Sequence, residues 1–380
     1  MSNRLTNGLT RLQRNFREVR ELIRWKDRPL LTPAHPHGPD IELFRKPESA
    51  LISWTDKQTQ RWKFLGHLHT ASNRAFGYQL SFLQRNTQLD RIGPVRACWL
   101  APRLVAAELA LSDHMNAESR KTFRCWNKGG VLALPQALAG YAAEDRFHLE
   151  TGGWYAKRNP TGTISIFASG SGQTISLHLT PSKPLVYYGQ NGYLQQGPGG
   201  DDAEYACGYS LMQTRGTILL DGRLHDVTGT TWLEHEKSTH ARSIFPTDRF
   251  LIQLETGEEL MLNLIHDETL KPDRLSSGIF VDRGGNASHL ISSEFRLETT
   301  KYWKSPRSRA RYPMRRTIHV ESLGLEVELK PFLENHEIGA LHSSFWPFFG
   351  TRWAGPIAGR GSRKGEALSA VGFMELQNYL

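Results

Sequence analysis

Cysteine, long apolar runs and metal-binding motifs are scarce in this chain. The 380 residues include three cysteines, Cys98, Cys125 and Cys207, which lie far apart and form no CxxC pair. A sparse, odd set predicts neither a disulfide framework nor a zinc site and is typical of a reducing compartment. No run approaches the roughly 20 apolar residues that span a bilayer, and no secretory signal core is present at the N-terminus. We therefore expect a soluble, cytoplasmic protein that holds no metal.

Common catalytic and nucleotide-binding motifs are also missing. The sequence contains no HExxH, no Gly-x-Ser-x-Gly elbow and no evident Ser/His/Asp order. The glycine-rich stretch 167–174 joins two strand-like runs and opens no helix, which predicts a hairpin turn rather than a phosphate cradle. We accordingly expect no cofactor.

Acidic residues are fewer than basic ones. The chain has 38 Asp and Glu and 47 Lys and Arg, which gives a net charge of +9. Part of the excess lies in a helical pattern up to about Arg28, where apolar residues from Leu5 to Ile23 recur every three or four positions between arginines. A basic amphipathic helix of this kind binds anionic membrane surfaces, or docks its apolar stripe on its own fold or on a partner subunit. No base-stacking module follows it, so we expect no nucleic-acid partner.

From about residue 50 onward the pattern changes to alternating strands separated by Gly, Asn and Asp. This predicts an antiparallel barrel or sandwich. The most informative hairpin covers 216–229, where Asp221-Gly222 is a strong turn signal. The strand that follows leads into Glu234, His235 and Glu236. Because side chains alternate along a strand, His235 is expected on one face and the two glutamates on the other.

The segment 229–237 resembles the Gly-x-x-Trp-x-Asp-His-Glu-Trp signature of the lipocalin-like carotenoid 1,2-hydratase (hydroxyneurosporene synthase) family. That family is related to kievitone hydratase and fungal decalin-forming Diels–Alderases. Further blocks resemble it in the same order, from 62–68 and 76–80 through 188–193 to 372–376. The resemblance implies an all-β fold of two tandem lipocalin-like antiparallel β-barrels, preceded here by the basic amphipathic helix. We expect a helix and Pro-rich linker at 1–40, a first barrel at 41–268 with a lid-like insertion near 129–143, and a smaller second barrel at 269–380.

The resemblance also implies chemistry on an apolar isoprenoid or polyketide-like substrate in a barrel cavity, by alkene hydration, isomerisation or cyclisation. Such chemistry requires a carboxylic acid in an apolar setting, a base that orients water, and an aromatic wall for the cation. We expect Glu234 or Asp248 to donate a proton or stabilise charge, with His235 orienting it. The candidate catalytic residues are Glu234, His235, Glu236 and Asp248. The candidate substrate-binding residues are Trp62, Tyr193, Tyr209, Trp232, Lys237 and Trp353.

Several positions depart from the family signature. Glu234 replaces an Asp, Lys237 replaces a Trp, and Lys63 lies in the opening hairpin where the family has acidic and aromatic residues. Arg249 likewise replaces a Trp beside Asp248. These changes favour an altered substrate or a lost activity over a faithful hydratase. Two alternatives remain open: the charged cluster is a structural network between strand ends, or the protein is a non-catalytic carrier of a lipophilic ligand.

Overall fold

The computed structural model describes residues 50–51, 59–86, 91–92, 95–96, 103–115, 118–128, 141–143, 146–196, 203–238, 246–267, 269–338 and 351–379. These residues are mostly β-structure, at 71% strand and 3% helix, and the strands form two large antiparallel sheets that each curl towards closure. The predicted all-β fold of two barrels is confirmed. The predicted N-terminal helix and most of the predicted insertion lie outside the described residues.

The first sheet and a separate small hairpin are built from the first fifteen strands. These are β1 Thr59–His69, β2 Ala75–Asn86, β3 Arg91–Ile92, β4 Val95–Arg96, β5 Arg103–Asp113, β6 Glu118–Lys128, β7 Tyr141–Ala142, β8 His148–Thr151, β9 Trp154–Arg158, β10 Ile164–Gly170, β11 Gln173–Pro181, β12 Val186–Tyr187, β13 Tyr193–Gln195, β14 Ala203–Leu220 and β15 Arg223–Ser238. The order across the sheet is β6-β5-β2-β1-β15-β14-β11-β10-β9-β8-β7, with β12 and β13 also paired to β14, while β3 and β4 pair only with each other.

The second sheet is built from the remaining ten strands. Two short 3₁₀ helices, Ser292–Glu294 and Glu321–Leu323, lie between its strands. Its strands are β16 Thr247–Leu254, β17 Glu259–Ile265, β18 Ser277–Val281, β19 Ala287–Ile291, β20 Arg296–Lys304, β21 Arg311–Val320, β22 Leu325–Pro331, β23 Glu337–Ile338, β24 Arg352–Arg363 and β25 Glu366–Gln377. They are ordered β19-β18-β17-β16-β25-β24-β22-β21-β20, with β23 paired to β24.

The boundary between the two sheets lies earlier in the chain than the predicted boundary at 268/269. Strand β16 pairs along its whole length with β25, from Thr247 opposite Gln377 to Leu254 opposite Ala370, and β17 pairs with β16. The hairpin 247–265 therefore belongs to the second sheet, and the change of sheet occurs between Ser238 and Thr247. The sequence pattern shows that these residues form a hairpin, but it does not show which distant strand they join.

The hairpin between β14 and β15 forms as the sequence predicts. Asp221 and Gly222 have φ values of 51° and 74° between the paired residues Leu220 and Arg223. Two successive positive φ values match the twist of a two-residue turn to that of the flanking strands. The turn fixes the register of β15, and β15 brings Glu234, His235 and Glu236 opposite Lys63, Trp62 and Arg61 of β1.

Gly66 allows a close approach between strands near the middle of the first sheet. A Cβ atom at this position would lie 2.2 Å from the Tyr78 ring and 2.8 Å from Thr231 Oγ1. The edge of the Tyr78 ring occupies that space, and the Tyr78 hydroxyl forms a 2.7 Å hydrogen bond with Thr231. The missing side chain at position 66 thus makes room for a buried tyrosine and its hydrogen bond.

We expect Gly66→Ala to destabilise the protein by about 1–3 kcal/mol, because overpacking of a filled core forces neighbouring side chains from their rotamers. Urea unfolding measures this loss. In a double-mutant cycle, the same change in a Tyr78→Leu background should cost much less, since the clashing ring is gone. Equal costs in the two backgrounds would show that Tyr78 is not the obstacle.

Candidate functional site

The two faces of β15 point into different parts of the molecule. Glu234 and Glu236 face the second sheet, where both contact the ammonium of Lys63 and the guanidinium of Arg249. His235 lies on the other face, inside the first sheet, where it stacks on Trp62 with ring centroids 4.3 Å apart. The predicted alternation is therefore found, and it means that His235 does not orient Glu234.

His235 is held as a neutral ring in the core of the first sheet. Its Nδ1 lies 3.0 Å from the carbonyl oxygen of Ala50, to which it donates, and its side chain is fully buried. Burial, reinforced by the nearby Lys237 ammonium, lowers the pKa of His235 well below its usual value. Trp62 donates to the carbonyl of Leu51 at 2.8 Å on the same side. This group anchors residues 50–51 against the first sheet.

Three predicted substrate-binding aromatics lie away from the contact between the sheets. Tyr209 is inside the first sheet, where Arg158 donates to its hydroxyl at 3.2 Å. Tyr193 is half-buried on β13. Trp353 is inside the second sheet and donates to the carbonyl of Glu334 at 2.7 Å. The structure does not bring them together into one pocket.

Asp248 is in the core of the second sheet, not beside Glu234. Its carboxylate accepts hydrogen bonds from Arg316 at 2.8 Å, His266 at 2.9 Å and Tyr379 at 2.6 Å. Burial alone would raise the pKa of Asp248, but Arg316 and these hydrogen bonds hold it below its usual value. Asp248 is thus an ionised anchor, and the expectation that it donates a proton is not supported. The pairing cation is Arg316 rather than the adjacent Arg249.

The outer faces of β1, β2, β5, β14 and β15 meet β16, β24 and β25, and we call this contact the seam. Lys63 is its central cation. Its Nζ lies 2.9 Å from Glu234, 2.5 Å from Glu236 and 3.2 Å from Glu375. The side chain is 2% exposed. One buried ammonium therefore joins two carboxylates of the first sheet to one of the second.

Arg249 approaches the same carboxylates from the second sheet. It contacts Glu236 directly and lies 3.7 Å from Glu234 and 3.2 Å from Glu204. Burial opposes its charge, but the nearby glutamates raise the pKa of Arg249 above its usual value. The guanidinium is therefore a fixed charge at the seam.

A second arginine extends the network towards β5. Arg352 lies 2.7 Å from Glu108 and 2.9 Å from Glu375, and Arg61 lies 3.9 Å from Glu375. Burial alone would raise the pKa of Glu375, but Lys63 and the arginines hold it well below its usual range. We call these nine side chains the seam ion network: Arg61, Lys63, Glu108, Glu204, Glu234, Glu236, Arg249, Arg352 and Glu375.

A small cavity opens beside the network. Its volume is about 10 Å³, which is close to the space of one water molecule. Half of its lining residues are polar or charged and half are apolar, and we call these two sets its polar wall and its apolar wall. The polar wall is formed by Lys63, Gln79, Glu234, Arg249 and Glu375, and the apolar wall by Leu65, Leu251, Ala354, Phe373 and Met374.

Trp232 and Tyr188 connect the network to an apolar part of the seam. Trp232 Nε1 donates to the Tyr188 hydroxyl at 2.8 Å, and both side chains are buried. Burial, with the Glu234 charge, raises the pKa of Tyr188 well above its usual value. These rings pack with Leu251 and Phe373 of the second sheet. Trp232 thus packs in the apolar part of the seam, but it is not among the residues that line the cavity.

Most of the seam ion network was not predicted from the sequence. Lys63 and Arg249 were noted only as departures from the family signature, whereas the structure shows that they pair with the carboxylates. Glu108 and Glu375 each interrupt an apolar strand. A single charge within such a run is a signal for a buried partner, because an unpaired charge there is costly. The partner itself is not visible in the sequence.

Two histidines at the seam, His67 and His114, have lowered pKa values. His67 of β1 bonds the carbonyl of Gly372 at 2.8 Å, and His114 stacks on Phe332 at 3.7 Å. Their rings are 6.4 Å apart. Burial lowers the pKa of each to about 4, with a small additional effect of His67 on His114. Both are therefore neutral in the folded protein near neutral pH.

We expect the free energy of unfolding to fall as pH decreases from about 6.5 to about 4. In this window the unfolded chain binds protons at these histidines and the folded protein does not, so acid favours unfolding. Urea titrations at several pH values measure the slope. A His67→Gln/His114→Gln variant should lose part of it, whereas His69→Gln, at an exposed position of the same strand, should not. An unchanged slope in the double variant would contradict the assignment.

None of the helices in the described part of the chain is long and apolar enough to cross a membrane. Within the same residues, no group of three or more His, Cys, Asp or Glu side chains is arranged to hold a metal ion.

Comparison with known proteins gives a family and a fold. The family model described as AttH-like matches residues 50–379. An AttH-type protein from Nitrosomonas europaea is similar in structure, with a TM-score of 0.74 and 22% identity over 93% of this chain and 100% of that one. Kievitone hydratase from Nectria haematococca is also similar, with a TM-score of 0.64 and 12% identity over 91% of this chain and 94% of that one. No curated protein matches the chain in sequence.

Proposed function

Because the chain belongs to the AttH-like family, we propose that it is an enzyme whose site is the seam between the two sheets. It converts an apolar isoprenoid or polyketide-like substrate through a transition state with positive charge, by hydration, isomerisation or cyclisation. The reaction requires no cofactor. The likeness to kievitone hydratase supports the fold, and the charges at the seam support the chemistry.

The observation that carries this proposal is the buried seam ion network. Its described residues include five carboxylates and four cations, so one negative charge is in excess. Ion pairs of this depth cost desolvation energy and are weak sources of stability. Clusters of buried, strongly perturbed charges are found preferentially at functional sites.

The excess negative charge is suited to a developing carbocation. Glu234 is fully buried on the polar wall of the cavity, and Phe373 lies on the apolar wall. Preorganised charges in a dry site stabilise a transition state without reorganising. The Phe373 ring in the same lining adds cation–π attraction. Glu234 is therefore assigned to charge stabilisation, with Lys63 and Arg249 fixing its position.

The cavity in this structure accommodates a water molecule, and a larger substrate needs the apolar wall to move. Leu65 belongs to the first sheet, and Leu251 and Phe373 belong to the second. Separation of these side chains along the seam would enlarge the cavity while leaving the carboxylates in place. We therefore expect substrate binding to require separation of these side chains at the seam. The substrate would not simply fill a preformed barrel cavity.

The test is a turnover assay of the full chain in heavy water with polyprenyl alkenes and linear polyketide-like polyenes. Mass spectrometry should detect an altered product, with deuterium incorporated where a proton adds to carbon. Conversion supports the enzyme. Tight binding of these compounds with no conversion would overturn it in favour of a carrier of lipophilic ligands.

A further inference from the structure

Gln79 of β2 is a buried polar side chain that the proposed function has not used. It is 3% exposed and lines the same cavity as Glu234. Its Nε2 donates to Ser81 Oγ at 3.3 Å, which orients the amide. Its Oε1 is buried without a hydrogen-bond partner in the structure. A buried amide oxygen in this state carries a desolvation penalty unless a donor reaches it.

Glu234 presents a second acceptor of the same kind. Its Oε2 forms an ion pair with Lys63 Nζ at 2.9 Å, and both of its oxygens are buried without a hydrogen-bond partner in the structure. Lys63 forms ion pairs with three carboxylates, and its ammonium donates a hydrogen bond to Glu375. Two lining side chains thus have acceptor oxygens without a donor, and a ligand that bridges them must donate two hydrogen bonds.

The size of the cavity restricts that ligand to one molecule. A volume of about 10 Å³ matches a single water, and a buried water requires a polar site with at least two partners. The remaining wall is apolar, from Leu65 across to Phe373 and Met374. Water is a small ligand that can donate one hydrogen bond to each of two acceptors. Its oxygen lone pairs then remain available for other contacts.

We propose that the cavity is a binding site for one water, held by Gln79 and Glu234, and that this water is the nucleophile when the enzyme hydrates its substrate. The second half of this inference rests on the proposed function. Gln79 is then a positioning residue that acts through the water.

The step is balanced in atoms and charge. The water oxygen forms a bond to the cationic carbon of the substrate, and one of its O–H bonds breaks as the proton passes to Glu234. The alkene takes its proton from solvent when the cation forms, and Glu234 returns the proton that it accepts to solvent when the product leaves. The sum is addition of one water across the double bond. Without this water, the cation can only lose a proton or cyclise.

The water site is tested without any substrate by high-resolution crystallography of the full chain, supported by ¹⁷O relaxation dispersion for long-lived buried water. We expect one water in hydrogen-bond contact with Gln79 and Glu234. In Gln79→Met, which keeps the side-chain length but removes the amide, that water should be gone. A dry cavity in the unaltered protein, or a water retained in Gln79→Met, would overturn the site.

The role of the water is tested separately by turnover in H₂¹⁸O. The unaltered enzyme should place solvent oxygen in the product, and Gln79→Met should lose roughly 100-fold in hydration while water-free isomers or cyclised products persist. Gln84→Met removes another buried glutamine of the same strand, outside the cavity lining, and should leave the product ratio unchanged. If Gln79→Met loses the water but hydrates normally, the water is structural only. If no substrate is turned over at all, the proposed function fails while the crystallographic result stands.

Discussion

Lys63→Met is expected to destabilise the protein by about 3–5 kcal/mol, the range seen when one partner of a buried ion pair is removed. The single ammonium contacts Glu234, Glu236 and Glu375, and it is 2% exposed. Methionine fills a similar volume but leaves three buried carboxylates facing one another. Urea unfolding followed by tryptophan fluorescence measures the loss.

A control lysine in an exposed ion pair tests whether the loss of stability depends on burial of the charge. Lys301→Met removes a lysine whose ion pair with Glu334 is exposed on both sides, at 53% and 38%. Exposed pairs contribute at most about 1 kcal/mol, so this variant should remain close to the unaltered protein. A similar, small loss in both variants would mean that the seam ion network does not hold the two sheets together.

Glu234→Gln is expected to reduce turnover by about 10²–10³-fold, the usual loss when one preorganised electrostatic group is removed from an active site. Its effect on stability should be smaller than that of Lys63→Met, because Lys63 keeps Glu236 and Glu375 and Arg249 keeps Glu236 and Glu204. Initial rates and thermal unfolding of the same preparation separate the two effects.

Glu328→Gln serves as the control for this second variant. Glu328 is an exposed carboxylate of β22 that pairs with Arg315 at 3.5 Å and is not among the residues that line the cavity. Its replacement should change neither rate nor stability by a measurable amount. Turnover that survives Glu234→Gln would show that the cluster is structural, as the sequence also allowed.

Local patterns in the sequence predicted local structure well. Asp221-Gly222 predicted the turn, and the alternation after it correctly separated His235 from Glu234 and Glu236. These features depend on a few neighbouring residues whose steric preferences are fixed by φ and by the strand period. The family resemblance, spread over many blocks in one order, predicted the tandem barrels.

Long-range assembly was not predictable in the same way. Asp248 follows Glu234 closely in sequence, yet it lies in the core of the second sheet because β16 joins β25. The same pairing moved the boundary between the sheets to a point before Thr247. Lys63 and Glu375 meet only because the outer faces of β1 and β25 pack together. A strand pattern indicates which residues face inward or outward, but not which surface covers the outward face.

A crystal structure of the full chain soaked with a long-chain polyprenyl alkene tests most directly whether the seam is the site. The ligand is expected at the seam, against Phe373 and Leu65, with Glu234 facing its double bond and the apolar wall displaced. A ligand found inside the first sheet, against Trp62 and Tyr209 with the seam unchanged, would contradict the assignment and favour a barrel carrier.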